Sequence, residues 1–160
     1  MLRRSFCLAP IIVPVLGCAA PGTCLTTLPP NPPFQPPAPY DGLSGDGYWY
    51  GTNELWTLLP FDGIWHMQGN VDKDGGYVTK LTFWRKGFNA IKEPRPNLIV
   101  TAKRLDEDSG SVAVASASAV FLTGKTPAMM TRMRIPAPGC WQITGHYGTH
   151  VLTFIVAVQP

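Results

Sequence analysis

From about Tyr40 to the C-terminus, short apolar runs alternate with turn chemistry every 8–14 residues. That pattern predicts strands over Gly47–Gly51, Leu55–Leu59, Gly63–Gln68, Tyr77–Arg85, Leu98–Leu105, Val112–Leu122, Met129–Ile135, Cys140–Tyr147 and Val151–Val158. The punctuation between them is Pro60-Phe61-Asp62-Gly63, Asp72-Lys73-Asp74-Gly75-Gly76, Pro94-Arg95-Pro96-Asn97, Asp108-Ser109-Gly110 and Pro136-Ala137-Pro138-Gly139. No stretch of this region sustains a 3.6-residue apolar period, so the expected class is all-β. Residues 41–160 suffice for one packed core and are too few for two domains.

Within the strands, period-two alternation separates an inward from an outward set. Leu81 and Phe83 alternate with Lys80 and Thr82, and Met133 and Ile135 with Arg132 and Arg134. Leu152, Phe154, Val156 and Val158 form the longest inward row. Leu98 and Val100 alternate with Ile99 and Thr101, two fairly apolar faces that suit a strand in the middle of a sheet. Trp49 cannot share a face with Tyr48 and Tyr50, and Trp84 is out of phase with Leu81 and Phe83.

Before residue 41 the pattern is lost. Pro21, Pro29, Pro30, Pro32, Pro33, Pro36, Pro37 and Pro39 remove amide donors and fix φ, which excludes helix and inner strand. Residues 18–40 therefore read as a disordered spacer biased to polyproline II, able to reach about 70 Å when extended. A Pro-rich groove ligand around Pro33-Phe34-Gln35-Pro36 is the other reading of the same composition. Ahead of it, Arg3 and Arg4 precede an apolar run from Phe6 to Leu16. That run is about half the roughly 20 residues a membrane-crossing helix needs. Pro10 and Pro14 also oppose a buried helix. Residues 1–17 read as a secretory signal.

Composition changes the picture once that segment is set aside. The chain carries 13 Lys+Arg against 10 Asp+Glu. Without Arg3 and Arg4 the balance is 11 against 10, so the sequence pI of about 8.7 is no nucleic-acid signature. Four cysteines shrink to two, because Cys7 lies in the signal and Cys18 at its end. A Cys24–Cys140 bridge would staple the tail to the domain in an oxidising compartment. The plainer expectation is a free tail thiol at Cys24 and a small packed residue at Cys140.

Two resemblances follow from particular residues. Val15-Leu16-Gly17-Cys18 resembles the lipobox of bacterial lipoproteins, which implies a diacylglycerol on Cys18 and a membrane-anchored protein of the cell envelope, on its periplasmic face or the cell surface. Ile135-Pro-Ala-Pro-Gly139-Cys-Trp141-Gln-Ile143, followed by a hairpin into Val151–Val158, resembles the closing strands of an immunoglobulin-like sandwich. Trp141 and Ile143 stand where that family has Tyr and Cys, so its corner hydrogen bond and inter-sheet disulfide are not implied. The resulting expectation is a single antiparallel immunoglobulin-like β-sandwich, and such folds host many unrelated roles.

Candidate chemistry is sparse. Asn70-x-Asp72-x-Asp74-Gly75 matches the front half of a calcium loop, but the closing acidic position falls at Leu81, and a hairpin turn explains the same residues. His146 and His150 bracket Tyr147-Gly148-Thr149, and His66 lies on an earlier strand, too few ligands for a zinc or copper site. Tyr48, Trp49, Tyr50, Trp56, Trp65, Trp84 and Trp141 are many rings for one domain. Those at Trp49 and Trp84, with Tyr48 and Tyr50, are candidates for binding a glycan or a protein, unless a second layer, the N-terminal strands or the linker, covers them. No hydrolase, zincin or phosphate-loop motif occurs, and Glu54, Glu93, Asp106, Glu107 and Asp108 fall mostly at strand ends. The expectation is a non-catalytic module without cofactor, anchored through Cys18 and binding an envelope protein or glycan rather than nucleic acid; a small envelope hydrolase is the less favoured alternative.

Overall fold

The computed structural model describes residues 23–38, 40, 47–107, 112–122 and 126–160. The signal segment, Cys18, Pro21, Pro39 and the Asp108-Ser109-Gly110 turn lie outside the described residues. The strands are β1 (Gly47–Thr52), β2 (Leu55–Pro60), β3 (Ile64–His66), β4 (Tyr77–Trp84), β5 (Leu98–Arg104), β6 (Val112–Leu122), β7 (Thr126–Ile135), β8 (Gly139–Tyr147) and β9 (His150–Gln159). Each coincides with an apolar run of the sequence.

They form one mixed sheet, in the order β1-β2-β4-β7-β6-β5-β8-β9-β3, curled into a half-barrel. This differs from the expected sandwich of separate antiparallel sheets in two ways. β6 belongs to both halves: Val112–Ser116 pair with β5 and Ala117–Leu122 with β7. β3 pairs parallel to β9, with Ile64 opposite Ala157, because the short Phe61–Gly63 turn carries the chain from β2, next to one edge of the sheet, to the opposite edge. Asp62 makes that turn by accepting the Ile64 amide at 2.9 Å, and Gly63 supplies φ +68°.

Curling brings the inward rows of the two halves together. Leu81, Phe83, Met129, Met133 and Ile135 face Leu98, Val100, Trp141, Ile143, Phe154 and Val156, all buried. The ring centroids of Phe83 and Phe154 are 6.5 Å apart. At Gly145 a Cβ would come within 2.9 Å of the Phe83 ring, so glycine lets β4 and β8 approach across the core. β5 sits between β6 and β8, as its two apolar faces predicted. The 85–97 connection closes one end of the half-barrel by inserting Phe88 and Ala90 into the same core.

The Pro-rich segment is the main correction to the expected organisation. From Cys24 onward it packs against the half-barrel as a strap rather than hanging free. The Thr27 amide donates to the Ile155 carbonyl at 2.9 Å, and the Ile155 amide donates to Thr27 Oγ1 at 2.8 Å. The Tyr48 hydroxyl donates to the Thr27 carbonyl at 2.7 Å, so one strap residue bonds both β9 and β1. Thr27 can do this because it is one of the few strap residues before Pro29 with a free amide and a hydroxyl.

Candidate functional site

The disulfide Cys24–Cys140, with its Cα atoms 5.4 Å apart, fixes the start of the strap to β8. The expectation of two unpaired thiols is therefore overturned. Cys140 alternates with the inward Trp141, so its sulfur lies on the outer face of β8, where the strap passes. Thr23, Leu25, Leu105, Asp106, Cys140 and Ile155 line a groove of about 280 Å³ beside the bridge. On the groove's acidic side Arg104 pairs with both Asp106, at 2.7 Å, and Glu107, at 2.6 Å. The Arg104 hydrogen bond, ahead of weaker backbone donors, holds the Asp106 carboxyl below its usual range.

Farther along, the strap packs over the outward ring of Trp56, in the same cluster as the binding candidates Trp49 and Trp84. Trp49, Trp56 and Trp84 point outward from β1, β2 and β4, as their phase required, but they do not reach solvent. Trp49 and Trp84 are each only 7% exposed and meet edge to face at 5.1 Å. Tyr40 stands against Trp56 at 5.3 Å, and Phe34 lies 6.2 Å from it. Tyr48 is buried in the inner core, and Tyr50 packs on Phe154 at 6.4 Å. Trp49, Trp84 and Tyr48 are thus buried in two clusters, while Tyr50 is half-buried and lines a groove with Pro30, Pro32 and Pro33 of the strap. The linker is the second layer.

The calcium candidate folds as a turn. Asp72 Oδ1 accepts the amides of Asp74 and Gly76, each at 2.9 Å, while Oδ2 takes Arg134 Nε at 2.5 Å. Arg134 also donates to the Asp74 carbonyl at 3.3 Å. A guanidinium occupies the position a cation would need, and it is the first cause of the lowered Asp72 pKa. The histidines do not converge either. His146 is opposite Val151 on the outer side, whereas His150 is opposite Tyr147 and lies 3.7 Å from Glu54. His66 lies 3.5 Å from Asp62. Among the described residues, no three His, Cys, Asp or Glu side chains gather to hold a metal.

One polar cluster was not foreseen. Arg85 Nη1 donates to the Tyr147 hydroxyl at 3.0 Å, its guanidinium carbon lies 4.9 Å from the ring centroid, and Tyr147 donates in turn to Glu93. Burial, then the hydrogen bond to Glu93, raises the Tyr147 pKa, partly opposed by Arg85. Arg85 and Glu93 both belong to the 85–97 connection and Tyr147 ends β8, which makes the cluster a clasp that holds the plugging loop to β8. No local motif marks it, because its members are 62 and 54 residues apart.

No protein-family model, curated protein or solved structure matches this chain.

Proposed function

We propose that this chain is a lipid-anchored module of the cell envelope, joined to a membrane through Cys18, whose half-barrel serves a binding or structural role and not a catalytic one. The observation that supports it most is the Cys24–Cys140 disulfide. Such bridges persist in oxidising compartments outside the cytosol, where the signal-like segment and the lipobox-like Val15–Cys18 would also send the chain. The clasp of Arg85, Tyr147 and Glu93 fits the same reading, since its hydroxyl is committed on both sides to holding a loop. In this reading the two facing halves, which share β6, correspond to the layers of an immunoglobulin-like sandwich, a rigid frame for presenting surfaces.

The test is metabolic labelling with an alkyne fatty acid in a bacterial host, followed by membrane fractionation. Wild type is expected to take up label and to sediment with membranes, and Cys18→Ser to do neither. An unlabelled wild-type chain recovered in the soluble fraction overturns the proposal.

A further inference from the structure

The strap shortens the distance at which a lipid on Cys18 would hold the domain. Cys24 is fixed to β8, so only six residue steps separate the acylated position from the folded body. Six residues span at most about 22 Å when fully extended. The free spacer expected from composition would have allowed about 70 Å. The surface around Cys24 must then lie close to the bilayer.

That surface is apolar. Leu25 is 78% exposed and Leu28 66%, the one beside the disulfide and the other next to Thr27. Leu105, 43% exposed, lines the same groove as Leu25. Phe61, 57% exposed, leans on Tyr48 with ring centroids 5.8 Å apart, and Tyr48 in turn holds Thr27. Thr26 lies over Gly63, so the Phe61–Gly63 turn and the strap start are neighbours. Four large apolar side chains thus rim one end of the half-barrel, at the point where the chain leaves toward Cys18. Nearby charges show no positive excess: Arg104 and exposed Lys103 stand against Asp106 and Glu107, and Asp62 lies beside His66.

We infer that this rim is a bilayer-contact surface: Leu25, Leu28, Phe61 and Leu105 sit in the headgroup region of the leaflet that carries the Cys18 lipid, with the 85–97 end turned away. The inference rests on the lipid-anchor reading. A second copy of the chain is the less suited occupant, because nothing places a partner on the rim, whereas the short connection brings a lipid surface to it. With no excess of positive charge at the rim to draw anionic lipid, contact comes from apolar burial and is insensitive to lipid charge.

Hydrogen–deuterium exchange on the full-length protein tests this. Lipidated wild type on phosphatidylethanolamine vesicles, with and without phosphatidylglycerol, is compared with Cys18→Ala protein mixed with the same vesicles. On both vesicle types the amides of residues 25–28, 61–63 and 105 are expected to exchange about five-fold more slowly or less in wild type, with residues 86–93 unchanged. Leu25→Asp/Leu28→Asp/Phe61→Asp, still lipidated and retained, is expected to lose that protection. Wild type retained on vesicles with exchange equal to that of Cys18→Ala overturns the contact surface and leaves the anchor standing. Protection only with phosphatidylglycerol overturns the apolar character of the contact. A wild-type chain that carries no lipid mass on Cys18 and does not associate with vesicles overturns both readings.

Discussion

Trp141 and Trp56 are both fully buried, yet they are buried by different things. Trp141 points into the half-barrel, where the curl of the sheet covers it, and its indole nitrogen donates to the Ala137 carbonyl at 3.1 Å. Trp56 points outward from β2 and is covered by Phe34 and Tyr40 of the strap. Among the described residues the indole nitrogens of Trp56 and its neighbour Trp49 find no hydrogen-bond partner. An inner core sealed by strand pairing is closed by a continuous ladder. An outer cluster sealed by proline-rich chain depends on a few fixed points, chiefly Cys24, Thr27 and Tyr40. The protein therefore has a core that belongs to the sheet and a second that belongs to the strap.

The largest effect should come from the inner core. Phe154 is almost fully buried and meets the rings of Tyr50, Trp65 and Phe83 at 6.4, 6.2 and 6.5 Å. Phe154→Ala is expected to cost about 3–5 kcal/mol in urea denaturation and to loosen the whole sheet. Tyr40→Ala is expected to cost about 1–2 kcal/mol and to red-shift tryptophan emission by exposing Trp56, with the far-ultraviolet circular dichroism unchanged. Equal losses for the two variants would erase the distinction between the clusters.

Removing the clamp comes next. The bridge joins residues 116 apart in sequence; loop entropy alone gives about 4.7 kcal/mol for a loop of about 100 residues, and cross-links typically deliver about 2–4 kcal/mol. Cys24→Ser/Cys140→Ser should lower the denaturation midpoint by a corresponding amount. It should also admit protease to the strap before the sheet, read as early cleavage between residues 25 and 40. Cleavage within β5 or β8 at the same rate would mean that the strap and the sheet form one unit.

This division also accounts for what could be read in the sequence. The inward row Leu152, Phe154, Val156 and Val158 was legible because strand alternation is a local property. The outward placement of Trp49 and Trp84 was legible for the same reason. What covers them was offered only as an alternative, since a proline-rich composition excludes regular structure but does not report packing. Cys24 and Cys140 could not be paired from sequence because a bridge depends on Cα separation. The parallel β3–β9 pair and the Arg85–Tyr147–Glu93 clasp depend on the curl of the whole sheet. The Asp72 turn was legible as a turn. Its partner Arg134, 62 residues away, was not.

The smallest expected effect isolates one fixed point of the strap. The Tyr48 hydroxyl donates to the Thr27 carbonyl at 2.7 Å, and its pKa is pushed up to about 12, by burial first and then by Tyr50. The unfolded chain gives up this proton near the ordinary phenol value of about 10. Between those values the folded chain binds more protons than the unfolded one, so stability falls as pH rises. This contribution is fully present below about pH 10 and is lost progressively as the folded pKa is approached. Tyr48→Phe removes the hydroxyl and leaves the ring in the core, so it should cost about 1 kcal/mol at pH 8, one buried hydrogen bond. From pH 8 to pH 11 it should then lose less stability than wild type. Urea denaturation at pH 8, 10 and 11 distinguishes the outcomes: curves that converge as pH rises place this proton at the strap junction, and curves that stay parallel remove Tyr48 as the titrating group.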